Sequence, residues 1–360
     1  MAIRLLLTGG GTGGHLFPAI ATAREFQRQY PDTKTMFIGT KRRMDTESLR
    51  SSGFESRAIT SFGIKGKSPL QLLKALVSLP QGYLEALKIL REFRPDVVFA
   101  VGGYVTGPVV AAAKRLGIPI VLHEQNSVPG MANRYLSHIA DRICLSLSVA
   151  AGYFNAKKTV FTGNPVRENI LNLAAERRTA DEKIILVLGG SQGAHRLNVL
   201  VPEALRALKG KVDFKVIHQT GKKDAQEVRA SWQAAEIDAT VEPFFRDMAE
   251  VYRQASLVIS RAGATTLAEL AVIGMPAILI PYPTAADNHQ LKNAEHYVAG
   301  GGAMVFEEAG LNAEILGSAV QTLFAGDRLE EMGAMMKKLA VPDAADRIVK
   351  ECLTLVGGQQ

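Results

Sequence analysis

Displaced by 180 positions, the sequence falls on itself at one pattern: Gly9, Gly10, Gly13 and His15 coincide with Gly189, Gly190, Gly193 and His195. In each copy an apolar run enters the glycines and an amphipathic segment leaves them. The first copy spans residues 5–18 and places five glycines in six positions before His15. A buried strand that stops at a glycine turn gathers backbone N–H groups at one point. The helix that follows adds the partial positive charge of its N-terminus, so the junction attracts phosphate or pyrophosphate. Glycine permits positive φ in the turn and lets the backbone touch a ligand. A chain that carries this unit twice is predicted to be α/β, with two doubly wound parallel sheets. Each would bind a ligand beyond the carboxyl ends of its strands, and the two domains would share one cleft.

The remaining pattern agrees. Strands are predicted at 3–8, 35–39, 54–59, 96–101, 119–123, 143–147 and 159–162, with helices over 14–29, about 69–93 and 106–116. Near-continuous apolar strands between helices mean a parallel sheet covered on both faces. Residues 162–168 read as a linker, and the alternation restarts with strands at 183–188, 214–218, 239–242, 257–260, 277–281 and 303–306. The expected domains are therefore 1–163 and 164–342, and 360 residues is ample for two cores. Pro342-Asp343 restarts a last helix whose Ile348, Val349, Cys352 and Leu355 share one face; it is expected to cross back to the first domain, as segment 343–360.

Charge is unevenly spread. Residues 1–163 hold 21 Lys/Arg against 10 Asp/Glu, whereas 164–360 hold 21 against 25. A basic first half points to a polyanionic partner. Nucleic acid fits poorly, because no aromatic stacking residues interleave with the cations. No stretch has the layout of a signal peptide or approaches the ~20 apolar residues of a membrane span. Two cysteines suggest no disulfide framework and fit a reducing cytoplasm.

A lone glycine loop would suggest a dinucleotide oxidoreductase, but that needs an acid at the end of the second strand. Here that strand runs into Gly39-Thr40-Lys41. Other strand ends are richer. Gly102-Gly103-Tyr104-Val105-Thr106-Gly107-Pro108 forms another glycine loop, and His123-Glu124-Gln125-Asn126 closes the next strand. Four consecutive polar side chains would be costly if buried without partners, which places them at the ligand edge; the alternative is a hydrogen-bonded loop junction. In the second half, residues 260–269 follow a strand and open a helix with small residues whose N–H groups suit phosphate. Glu269, two turns in, can accept from two vicinal hydroxyls such as those of a ribose; otherwise it is a solvated helix residue.

These loops resemble the MurG family, the bacterial N-acetylglucosaminyltransferases of peptidoglycan synthesis. The resemblance rests on residues 10–15, 102–108, 123–126, 163–167, 189–194 and 261–269, in order along the whole chain. It implies a GT-B fold of two Rossmann-like domains. It implies UDP-N-acetylglucosamine as donor and undecaprenyl-pyrophosphoryl-N-acetylmuramoyl-pentapeptide as acceptor, with inversion at the anomeric carbon. The implied donor contacts are Thr12, Gly13, Gly14, Asn126, Arg167, Ser191, Phe245, Ala264, Thr265, Thr266, Leu267, Ala268, Glu269 and Gln290. Gly102, Gly103, Tyr104 and Thr106 would meet the acceptor pyrophosphate. His195 stands where some relatives carry arginine, and its role is open.

Inversion needs a base and a stabilised leaving group. His15 is the first choice of base, because imidazole titrates near neutrality; Glu124 is the second, and a His15 that merely caps the loop is the bland alternative. Helix N-termini, Arg167 and Ser191 can neutralise the UDP leaving group, so neither metal nor cofactor is expected; no Asp-x-Asp occurs in the chain. Rival readings are another GT-B glycolipid glycosyltransferase, a UDP-sugar 2-epimerase, or a sugar-nucleotide-binding subunit without catalysis. Finally, residues 62–70 with Leu72, Leu73, Leu76, Val77, Leu79 and Tyr83 are more apolar than one core-facing stripe requires. Lys65, Lys67, Lys74, Lys88, Arg91 and Arg94 surround them. This suggests docking on an anionic membrane surface; the resemblance implies the cytoplasmic face, with other cell-wall synthesis proteins as partners.

Overall fold

The computed structural model describes residues 2–10, 13–40, 53–61, 69–176, 182–190 and 193–358, with side chains except those of 69–78. Thr12, Ser191 and the docking stretch 62–68 lie outside the described residues, as do the side chains of Leu70, Leu72, Leu73, Lys74, Leu76 and Val77. The chain divides into two compact units: Met1–Arg167 with Val341–Gln360, and Glu168–Ala340.

Among the described residues the first unit holds seven strands: β1 (Arg4–Thr8), β2 (Lys34–Gly39), β3 (Glu55–Ala58), β4 (Val97–Ala100), β5 (Ile120–Glu124), β6 (Arg142–Leu145) and β7 (Thr159–Phe161). They form one parallel sheet in the order β3-β2-β1-β4-β5-β6-β7. Because strand side chains alternate, the two faces divide the apolar residues cleanly. Leu6, Val98, Ala100, Leu122, Ile143 and Leu145 join one core, against the helices Pro69–Phe93 and Thr106–Arg115. Leu5, Leu7, Val97, Phe99, Val121 and Cys144 join the other, with α1 (Gly13–Gln29).

The C-terminal helix, Ala344–Gly357, completes that second core. Ile348, Val349 and Cys352 are fully buried against it. Burying each such side chain stabilises by about 1.5–3 kcal/mol, so docking of this helix rests chiefly on its apolar stripe. Polar clamps fix the register: Arg142 pairs with Glu351 at 2.9 Å, and Gln29 donates to Asp346 at 2.8 Å.

The second unit repeats the plan with β8 (Ile184–Leu188), β9 (Lys215–Gln219), β10 (Ala239–Glu242), β11 (Leu257–Ser260), β12 (Ala277–Leu279) and β13 (Ala303–Val305). The order is β10-β9-β8-β11-β12-β13, again parallel throughout. Both sheets therefore reverse direction of winding beside their first strand, between β1 and β4 and between β8 and β11. Such a reversal opens a crevice outside the strand ends. Thr8 lies beside Ala100 and Leu188 beside Ser260, so each crevice is rimmed by two of the loops singled out in the sequence.

Candidate active site

In the first unit, the two glycine loops touch. A Cβ on Gly103 would lie 2.6 Å from the Gly10 carbonyl oxygen, and one on Gly9 would lie 2.2 Å from Val101 Cγ2. Gly102 and Gly103 have φ of +94° and +90°, values that side chains resist. This contact brings His15, in the first turn of α1, against the second loop. Its Cδ2 and the Asn133 amide would each lie 3.5 Å from a Cβ on Gly102. His15 is half-buried and Gly14 exposed.

The polar run at the end of β5 turns inward. His123, Glu124 and Gln125 are buried, and only Asn126 is half-exposed. Glu124 Oε1 accepts from the Asn126 backbone N–H at 2.9 Å and from its Nδ2 at 3.2 Å. Oε2 accepts from the Gly130 N–H at 3.1 Å and from Asn133 Nδ2 at 2.8 Å. Burial pushes the Glu124 carboxyl up, while these four N–H groups pull it down. A carboxylate engaged on both oxygens holds the loop and is poorly placed to take a substrate proton. That geometry weighs against Glu124 as the base and gives it a positioning role. Asn133, not singled out in the sequence, is its main side-chain partner. It is the one buried residue of its short helix, Met131–Leu136, and carries little sequence signal.

His123 is likewise structural. Gln125 Nε2 donates to its Nδ1 at 3.1 Å, which leaves Nε2–H to donate to the Gly163 carbonyl at 3.2 Å. Burial pushes its pKa down to about 4, only partly offset by that carbonyl, and the nearby His15 lowers it further. Thr106 also departs from expectation. It is fully buried, and its hydroxyl donates to the Gly102 carbonyl at 2.8 Å, so it shapes the loop instead of meeting a pyrophosphate. Tyr104 is half-buried, and its carbonyl accepts from Ser61 Oγ at 2.9 Å. Arg167 is half-exposed, with its guanidinium 4.7 Å from the centre of the Phe17 ring.

In the second unit the first loop bends through Gly190 and Gly193, both with φ of +79°. Gln219, at the end of β9, ties this loop to the next: its Nε2 donates to the Gly190 carbonyl at 3.3 Å and its Oε1 accepts from the Phe245 N–H at 3.0 Å. Phe245 itself is half-buried. Beyond β11, Gly263 precedes the helix Ala264–Ile273 with extended backbone and no side-chain cap. The first turn, Ala264, Thr265 and Thr266, carries the partial positive charge that draws an anion to a helix N-terminus. From Leu267 on, N–H groups bond within the helix, the first to the Gly263 carbonyl at 3.0 Å. Leu267 and Ala268 thus offer no donor to a ligand, and Leu267 is fully buried.

Glu269 is buried, not solvated, and accepts from Tyr252 Oη at 3.1 Å. Residues 265, 266 and 269 share one helix face, and helix side chains lean toward the N-terminus, so Glu269 is directed toward the first turn. Arg261 braces the following strand end, donating to the Ile280 and Pro281 carbonyls at 3.0 and 3.2 Å and pairing with Glu308 at 2.6 Å. Gln290 Oε1 accepts from the Tyr282 N–H at 2.9 Å.

Known proteins share this arrangement. Residues 5–145 match the glycosyltransferase family 28 N-terminal domain, and 184–348 the C-terminal domain. The chain belongs to glycosyltransferase family 28. It is 54% identical to the UDP-N-acetylglucosamine–N-acetylmuramyl-(pentapeptide) pyrophosphoryl-undecaprenol N-acetylglucosamine transferase of Desulfotalea psychrophila, over 98% of this chain and 97% of that one. The Geobacter sulfurreducens protein of the same name is 43% identical, over 97% and 98%. Among solved structures, Acinetobacter baumannii MurG superposes with a TM-score of 0.76 at 30% identity, covering 98% of this chain and 99% of that one. The family 28 architecture is the expected GT-B fold. A UDP-N-acetylglucosamine 2-epimerase from Neisseria meningitidis shares that fold too, at TM-score 0.69 and 15% identity.

One consequence of the buried imidazoles is measurable. His218, buried in the second unit, is pushed down to about 3 by burial. An exposed imidazole of the unfolded chain titrates near 6.5. Between pH 6.5 and about 4 the unfolded chain therefore binds protons that neither buried ring accepts, and stability falls as pH falls. Each ring contributes a slope of up to about 1.4 kcal/mol per pH unit. Urea unfolding at pH 7 and pH 5 is expected to show the loss, and His218→Gln to flatten it for the second unit. An unchanged slope in that variant would remove His218 from the account.

Proposed function

We propose that the chain transfers N-acetylglucosamine from UDP-N-acetylglucosamine to the 4-hydroxyl of undecaprenyl-pyrophosphoryl-N-acetylmuramoyl-pentapeptide, with inversion, in peptidoglycan synthesis. The observation that carries this reading is 54% identity, end to end, with a relative whose name states that transfer. His15 takes the proton of the acceptor hydroxyl as its oxygen attacks the anomeric carbon. The bond to UDP breaks on the opposite face, and its electron pair goes to the β-phosphate oxygen. The first turn of Ala264–Ile273 and Ser191 receive that charge, and Glu269 holds the ribose. Glu124 and Asn133 keep the Asn126 loop in place. Gly102 and Gly103 face the acceptor pyrophosphate.

The acceptor is lipid-linked, so the enzyme works at an anionic membrane surface on the cytoplasmic side. No helix among the described residues is long and apolar enough to cross a membrane. The helix Pro69–Phe93 supports peripheral docking: Leu84 is 64% exposed, and Lys88 and Arg91, one and two turns on, are exposed on the same face.

The test is transfer of labelled sugar from the UDP donor to the lipid-linked muramoyl pyrophosphate, presented in anionic or neutral vesicles, with and without EDTA. Transfer is expected to require acceptor, to be faster in anionic vesicles, to weaken with salt and to persist in EDTA. Conversion of the donor to its 2-epimer without acceptor would overturn the reading. Equal rates in both vesicles would remove the docking surface.

A further inference from the structure

His195 stands at the second glycine loop with no role in the transfer as described. It opens the helix His195–Arg206, and Ala194 before it supplies no side-chain cap. Its side chain is 70% exposed, yet Nδ1 lies 3.0 Å from Asp224 Oδ2. Burial does not orient this ring; a chain of hydrogen bonds from the core does.

The chain starts at Trp232, whose indole N–H can only donate. Nε1 donates to His218 Nδ1 at 3.2 Å. His218 must therefore carry its proton on Nε2, which lies 3.0 Å from Asn198 Oδ1. That fixes the Asn198 amide, whose Nδ2 donates to the Thr220 carbonyl at 2.9 Å and to Asp224 Oδ2 at 2.8 Å. The Asn198 amide, more than His195, holds the Asp224 carboxyl below its usual range, against the opposing effect of burial. Trp232, His218 and Asn198 are all buried. Partnered buried polar chains of this kind rigidify what they touch. This one reaches the surface at the partly exposed Asp224 carboxylate and the exposed His195 ring.

The same anchor serves the glycine loop. A Cβ on Gly193 would lie 2.3 Å from the Thr220 carbonyl oxygen, so the loop rests on the group that Asn198 binds. Loop and imidazole are thus placed by one support.

We infer that His195 is a donor-binding residue: its Nε2–H bonds the diphosphate of the UDP-sugar, and the Trp232–His218–Asn198–Asp224 chain positions it. With Nδ1–H directed at a carboxylate, an anion at Nε2 selects the doubly protonated ring, whose charge Asp224 balances. The inference rests on the donor reading proposed above.

The test is calorimetric binding of UDP and of uridine to the full chain. His195→Ala is expected to weaken UDP about ten-fold or more, the usual consequence of losing a charge-assisted hydrogen bond, and to leave uridine unchanged. His195→Arg, which keeps a cation, is expected to recover most of the UDP affinity. Asp224→Asn keeps the shape and removes the charge; it is expected to weaken UDP, with little further loss when combined with His195→Ala. Equal losses for UDP and uridine, or none for either, would overturn the inference while leaving the donor reading intact. A wild-type chain that binds no UDP would overturn both.

Discussion

Replacing His15 by alanine is expected to lower kcat by ~10²–10⁴-fold, the usual contribution of a positioned general base. The imidazole sits in the first turn of α1, held against Gly102 by the contact of the two glycine loops. It combines partial exposure with a place at the sheet's reversal point. The donor KM should move little, because a base acts chiefly in the transition state. The acid limb of the kcat–pH profile should vanish with the ring. Glu124 is the control. Glu124→Gln keeps one acceptor oxygen and places an NH₂ against N–H donors, so it should lower the melting temperature and raise KM as the 126–133 segment loosens. If His15→Ala turns over within a few-fold of wild type, while Glu124→Gln abolishes kcat at an unchanged melting temperature, the roles are reversed.

Replacing Glu269 by alanine is expected to raise the donor KM ten-fold or more, with a smaller change in kcat. A hydrogen bond to a charged group contributes about 1.5–3 kcal/mol, and a contact to the ribose is made equally in ground and transition states. The carboxylate is buried and partnered by Tyr252 Oη, so it is oriented before any ligand arrives. Truncation also leaves that phenol without this acceptor, so Glu269→Gln is the gentler variant and Tyr252→Phe separates orientation from contact. The sharper measurement uses the ligand. Wild type should prefer UDP to 2′,3′-dideoxyuridine diphosphate, and Glu269→Ala should lose that preference. A preference unchanged in a folded Glu269→Ala variant would falsify the ribose contact.

Much of this molecule could be read from local pattern. Strand and helix follow from apolar periodicity within a few residues, and the glycine loops from the backbone conformations that only glycine adopts easily. The 180-residue repeat therefore predicted two like sheets, and the second sheet shows the strand order of the first without its last strand. The stripe Ile348, Val349, Cys352 likewise marked a helix face needing a cover, expected from the first domain; Leu5, Phe99 and Cys144 are in the core it joins. Polar residues at strand ends were legible only as a set. Sequence cannot tell a polar side chain that faces a ligand from one buried against partners, because the partners depend on how each loop folds back, from 4 to 40 positions away. Glu124 is held by Gly130 and Asn133, His123 by Gly163, and Thr106 turns back on Gly102. His195 is fixed by residues up to 37 positions away, through bonds that form only once β9 and its neighbouring helices have packed beside its own helix. Periodicity and glycine chemistry act over a turn or a pleat, so the chain itself determined the sheets and where ligands can approach them. Hydrogen-bond partners are chosen by how loops fold back and elements pack, so the tertiary structure decided which polar groups remain for substrate.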